Sequence, residues 1–96
     1  MRPSDALRLH RDRIREIALD HRVTNPRVFG SVVRGEDTEG SDLDILVEPT
    51  ADATLFDIGA IQYELTELLG IRIDVLTPAS LPESFRHIVV SESVPI

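Results

Sequence analysis

The stretch Arg27–Glu48 reads RVFGSVVRGEDTEGSDLDILVE, and the rest of the chain is understood from it. A short β-branched and aromatic run, Val28-Phe29, stops at Gly30-Ser31. Ten residues separate Ser31 from Asp42, and Asp42-Leu43-Asp44 leads into the apolar run Ile45-Leu46-Val47. This pattern predicts two strands joined by a tight, glycine-rich connection, with two carboxylates at the start of the second strand. Residues two apart on a strand share a face. Asp42 and Asp44 are therefore expected side by side, with Leu43 and Ile45 turned the other way into a core. Adjacent carboxylates raise each other's pKa unless positive charge lies between them. A pair of Mg²⁺ ions is the natural counterpart, since Mg²⁺ takes carboxylate oxygens together with phosphate oxygens.

Working outward, Gly30 lets the backbone approach a ligand closely, as a residue without Cβ can. Ser31 is expected to cap a short helix, Ser31–Arg34, whose free N–H groups suit a phosphate. The Ser31 hydroxyl can add a hydrogen bond. Two roles are open for Arg34: reaching the same phosphates or the pocket wall, or forming a surface ion pair with Glu36 or Asp37. Residues Gly35 to Ser41 (GEDTEGS) read as a polar, glycine-bounded, mobile loop.

Gly30-Ser31, the ten-residue interval, Asp42-x-Asp44 and the intervening Arg34-Gly35 resemble the signature of the minimal nucleotidyltransferases of the DNA-polymerase-β-like superfamily. The resemblance runs from about Arg27 to Thr77. It implies an α+β fold, a small mixed sheet of three to four strands with helices packed on one side. It implies ATP as substrate and two Mg²⁺ ions held by Asp42, Asp44 and a third acidic residue. It also implies Gly30, Ser31, Arg34, Asp42 and Asp44 as the nucleotide-binding set. Such proteins are commonly antitoxins paired with HEPN-domain toxins, with AMP transfer from ATP to a tyrosine hydroxyl of the toxin as the expected reaction.

The third carboxylate is Asp74, in the alternating segment Ile71–Leu76 (IRIDVL). Ile71, Ile73 and Val75 fall on one face, and Arg72, Asp74 and Leu76 on the other. A lone Asp on an amphipathic strand is ordinarily part of its solvent face. If this strand lies beside Asp42–Val47, however, Asp74 joins Asp42 and Asp44. The family carries its third acidic residue on the matching strand, which makes Asp74 the expected catalytic and metal-binding candidate.

The remaining elements frame this site. Ser4 is the expected N-cap of a first helix reaching about Asp20, with Asp5 in its first turn. Leu7, His10, Ile14, Ile17, Ala18 and His21 line its apolar face, and interleaved Arg and Asp/Glu give a solvated opposite face. Asn25-Pro26 marks a turn before the first strand, Arg27–Phe29. Pro49 closes the second strand. Thr54 or Asp57 opens a second long helix with Leu55, Ile58, Ile61, Leu65, Leu68 and Leu69 at helical spacing, stopped by Gly70. A last helix is expected from Pro82 to Ser91 with Phe85, Ile88 and Val89 inward. Val94-Pro95-Ile96 forms an extended tail.

Composition narrows the function. The 96 residues suit a single domain, residues 1–96, with a modest core. The net charge of −7 disfavours nucleic-acid binding, whose footprint is basic. All ten basic residues are arginine, which excludes a P-loop lysine. The absence of cysteine excludes disulfides and thiolate metal sites and fits a cytoplasmic location. No apolar run approaches membrane-spanning length. Larger enzymes of the superfamily carry a further domain that grips the acceptor, and this chain stops where it would begin. A partner polypeptide, in a hetero-oligomer, is therefore expected to complete the site. Two other functions are compatible with the sequence: a binding-only antitoxin acting by occlusion, and a small-molecule nucleotidyltransferase like those that modify aminoglycosides.

Overall fold

A computed structural model describes residues 1–96. Helix α1 spans Pro3–Leu19, strand β1 Val23–Phe29, the short helix α2 Ser31–Arg34 and strand β2 Leu43–Pro49. Helix α3 (Leu55–Leu69) and strand β3 (Ile73–Leu76) follow. Two 3-10 turns (Pro78–Ser80, Glu83–Phe85), helix α4 (Arg86–Glu92) and strand β4 (Val94–Pro95) complete the chain. The sheet order is β3-β2-β1-β4. Strands β1 and β2 are antiparallel, as are β1 and β4, whereas β2 and β3 run parallel. A parallel pair needs a long crossover, and α3 supplies it.

Strand β2 divides the molecule. Leu43, Ile45 and Val47 are fully buried with Ile14 of α1 and with Ile61 and Leu65 of α3. Each contributes about 1.5–3 kcal/mol by leaving water. The two long helices thus pack on one face of the sheet. Leu46 points the other way and packs with Phe29 and Leu81 in a smaller cluster, against which Leu76, Val89 and Val90 lean. Asp44 alternates with Leu43 and Ile45, so it emerges on this second, more open face. No helix is long and apolar enough to cross a membrane.

Several boundaries differ from expectation. Ser4 is not the N-cap of α1: Pro3 starts the helix and Arg2 is its cap. Proline fits a first turn because its missing N–H would be unpaired there anyway. The Ser4 N–H donates instead to Asp37 Oδ2 at 2.9 Å. This contact buries Asp37 and pins the 35–41 loop that composition had suggested was mobile. Helix α1 departs from helical geometry at the half-buried His10 (φ −123°, ψ 21°). Three of its arginines pair within the helix, Arg8 with Asp5, Arg13 with Glu16 and Arg15 with Asp12, on a solvated face, while Arg11 reaches the Pro95 carbonyl.

Asn25-Pro26 is not a turn. Both residues lie inside β1, where the register slips between Thr24 and Arg27 and Asn25 takes φ 50°. A bulge accommodates a proline that has no N–H to give the ladder. The Pro26 carbonyl remains useful, accepting the Ile96 N–H at 3.1 Å. The predicted tail is thereby recruited as the fourth strand.

Helix α3 starts as anticipated. Thr54 and Asp57 form a reciprocal capping box, and Gly70 ends the helix with φ 66°. Of its predicted inward residues, Ile61 and Leu65 are buried, and Ile58 and Leu69 pack against the core. Leu55 is 88% exposed and Leu68 is also exposed. Leu55 is the first residue of α3, a turn before Ile58, the first residue of the helix that packs against the core.

The last helix is broken. Phe85 adopts φ −131°, ψ 13°, which separates a 3-10 turn from α4 and resets the helical phase. Phe85 and Ile88 consequently face solvent, while Val89 and Val90 pack inward.

Candidate functional site

The open face of the sheet gathers the three aspartates through backbone register. Asp44 pairs with Phe29 across the β1–β2 ladder and with Asp74 across the β2–β3 ladder. Asp42 lies two residues before Asp44 and shares its face. The three side chains can each present a carboxylate oxygen so that all lie within 4.8 Å of one another. Asp42 and Asp44 are half-buried and Asp74 is exposed.

This crowding is electrostatically costly. Burial, then the charges of Asp74 and Asp42, push the Asp44 carboxyl up to about 6, with Arg34 opposing the rise. Asp74 is also raised, first by burial and then by Asp42, while Arg72 acts in the other direction. Arg72 forks onto Asp42, with Nε 3.0 Å from Oδ1 and Nη2 3.3 Å from Oδ2. No ion pair reaches Asp44 or Asp74. Hard oxygen donors, mutual repulsion and no side-chain cation on two of the three are the properties that suit divalent metal.

Gly30 forms the adjoining wall. It has φ 79° and ψ −149°, a combination that L side chains rarely adopt, and a Cβ there would overlap the Asp44 carboxylate. The absent side chain is what lets the turn and the acidic strand approach. Gly30, not Ser31, is the N-cap of α2, and Ser31 is its first helical residue. The Ser31 side chain makes no cap. Its carbonyl accepts the Glu36 N–H at 2.9 Å, which closes the turn onto the following loop.

Arg34 is already engaged. Its Nε donates to Glu36 Oε1 at 2.8 Å and its Nη1 to Glu92 Oε1 at 3.2 Å. Those two carboxylates, Glu36 foremost, raise its pKa further. Of the two roles left open by the sequence, the Glu36 pair is therefore the one present in the free chain. Even so, Arg34 lies near enough to Asp44 to lower its pKa.

Sequence reasoning missed Arg72 and Glu92. Arg72 had a signal, since it alternates with Asp74 on the same strand face. Glu92 had none. Its Oε1 also accepts the Gly30 N–H, at 3.3 Å, across 62 residues of sequence.

Comparison with known proteins places these features. The nucleotidyltransferase domain family matches residues 7–96. A relative from Methanocaldococcus jannaschii, named as a protein adenylyltransferase, is 40% identical over 80 residues, covering 83% of this chain and 86% of the relative. The protein adenylyltransferase MntA of Thermococcus cleftensis is 40% identical over 67 residues, covering 70% of this chain and 68% of MntA. A solved minimal nucleotidyltransferase superimposes with a TM-score of 0.86 at 36% identity, over 97% of this chain and 95% of that one. A crystal structure of a toxin–antitoxin with AMP-PNP shares the fold, with a TM-score of 0.74 at 20% identity over 88% of this chain and 69% of that chain.

Proposed function

The chain belongs to the nucleotidyltransferase domain family, and from that premise we propose that it is an antitoxin that transfers AMP from ATP to a tyrosine hydroxyl of a cognate HEPN-domain toxin. The observation that carries this reading is the convergence of Asp42, Asp44 and Asp74 within 4.8 Å beside a wall that only Gly30 permits. The names of the adenylyltransferase relatives support the reaction type, and the toxin–antitoxin neighbour with AMP-PNP supports a toxin as partner and an ATP-like nucleotide; the HEPN class of the toxin comes from the family resemblance.

In this reading Asp42, Asp44 and Asp74 would hold Mg²⁺, two ions by analogy with the family, and the donor set fits that ion. The chemistry supplied by bound Mg²⁺ is neutralisation of charge on the triphosphate and on the attacking and leaving oxygens. The Gly30 N–H, the Ser31 hydroxyl and the Arg34 guanidinium are the chain's own donors for phosphate oxygens. Asp74 is at the open rim, where an incoming hydroxyl would arrive, and its raised pKa suits it to take the hydroxyl proton. The acceptor oxygen bonds to the α-phosphorus, the bond from that phosphorus to the bridging oxygen breaks, and pyrophosphate departs.

The test is to purify the tagged chain with its bound partner and to measure intact masses, alongside an Asp42→Asn, Asp44→Asn double variant. Adenylyl increments on the partner with the native chain, and none with the variant, are expected. A partner that co-purifies unmodified in both cases would instead identify an antitoxin acting by binding alone.

A further inference from the structure

Glu92 lies where a phosphate-binding site would want an anion. One of its oxygens, Oε1, takes the Gly30 N–H at 3.3 Å and the Arg34 Nη1 at 3.2 Å. Gly30 and Arg34 are two of the chain's own donors in the nucleotide-binding reading. A carboxylate that shares its oxygen between a backbone amide and a guanidinium copies the demands of a phosphate oxygen. We propose that Glu92 is an internal stand-in for substrate phosphate, occupying these donors in the free chain and leaving them when nucleotide binds.

The surrounding structure supports a side-chain exchange without opening of the tail. Glu92 ends α4, and the residues after it are fastened. Val94 and Pro95 pair with Val28 and Arg27, and the Ile96 N–H donates to the Pro26 carbonyl at 3.1 Å. The Pro95 carbonyl accepts from Arg11 at 2.7 Å, and Ile96 belongs to the main core. The backbone beneath Glu92 is thus fixed. Its side chain is about one-quarter exposed, and rotation about its own bonds frees both donors. Arg34 keeps its second partner, Glu36, throughout.

The inference rests on the nucleotide-binding reading, and the experiment separates the two. Mg²⁺-ATP is titrated calorimetrically into the native chain, Glu92→Gln and Glu36→Gln, with thermal melts confirming that each is folded. Glutamine preserves the shape of Glu92 and removes the charge that competes with phosphate. Glu92→Gln is expected to lower Kd about tenfold, the scale of one charge-assisted contact. Glu36→Gln, which removes the same charge from Arg34 but touches no part of Gly30, is expected to stay within about twofold. Weaker or unchanged binding by Glu92→Gln would overturn the proposal and make Glu92 a residue that positions Arg34. An equal gain in Glu36→Gln would overturn it too, since general relief of negative charge would then explain the effect. Absence of binding in all three proteins would remove the nucleotide-binding reading itself.

Discussion

Asp44 and Asp74 are register partners on the parallel β2–β3 ladder, and their carboxylates leave the sheet on the same face. Neither has a side-chain cation paired to it, and the only fork in the cluster is Arg72 on Asp42. The fold thus brings together charges that repel in the metal-free chain, and the consequences are measurable.

The first concerns pH. Asp44 is held at about 6 in the folded chain against an ordinary 3.8. Above that value it is charged in both folded and unfolded states, and its buried charge opposes folding. As pH falls through about 6, the folded chain takes up a proton that the unfolded chain does not, so stability rises. Thermal melts in EDTA should therefore show Tm increasing from about pH 7.5 to about pH 5.5, and Asp44→Asn should flatten the trend. Asp37 and Asp5 have lowered pKa values and act oppositely, their stabilisation being lost as pH falls further, below their ordinary 3.8.

The second concerns ligand. Mg²⁺ with ATP at about one hundred times Kd should stabilise the native chain by about 2.7 kcal/mol. For a domain this small that is a rise of about 10 °C or more in Tm. The Asp42→Asn, Asp44→Asn variant should melt higher than the native chain without metal and show no rise with Mg²⁺-ATP. Differential scanning fluorimetry reads both.

The third concerns Gly30. Gly30→Ala forces φ 79° on an alanine and drives its Cβ into the Asp44 carboxylate. A loss of about 2 kcal/mol is expected in urea unfolding, together with loss of nucleotide binding. Gly35 has a similar φ of 71° but open space where a Cβ would go. Gly35→Ala should cost only about 1 kcal/mol. The difference between the two variants reports the close approach of Gly30 to Asp44 together with its ψ of −149°, a backbone region far more restricted to glycine than the left-handed conformation of Gly35.

The fourth concerns the 35–41 loop. Asp37 is buried and accepts the Ser4 N–H at the start of α1. Asp37→Ala leaves that amide unpaired beside the helix terminus and should cost about 1–2 kcal/mol by denaturant unfolding. It should also speed amide exchange at Ser4.

Local pattern made much of this protein readable. The alternation Leu43-Asp44-Ile45 fixed which side chains enter the core and which carboxylates emerge. Thr54, Asp57 and Gly70 announced the ends of α3. Asp74 alternates on a strand that by itself reads as a solvent face, and the family resemblance made it the expected third carboxylate. Elements set by distant contacts were not readable. Asn25-Pro26 has the composition of a turn, and becomes a bulge only because β2 and β4 flank it. The tail is a strand because the Pro26 carbonyl awaits Ile96. Phe85 interrupts a helix whose apolar spacing looked continuous. Asp37 and Glu92 each act on a backbone amide tens of residues away, which no local periodicity records.

The most direct test of the central claim asks which phosphorus of ATP reaches the partner. The purified complex is incubated with Mg²⁺ and ATP labelled at either the α- or the γ-phosphate, and the label in each polypeptide is counted. The three-aspartate site described above predicts α-label on the partner, no γ-label, and neither with the Asp42→Asn, Asp44→Asn variant. Transfer of γ-label, or α-label that survives the double substitution, would contradict it.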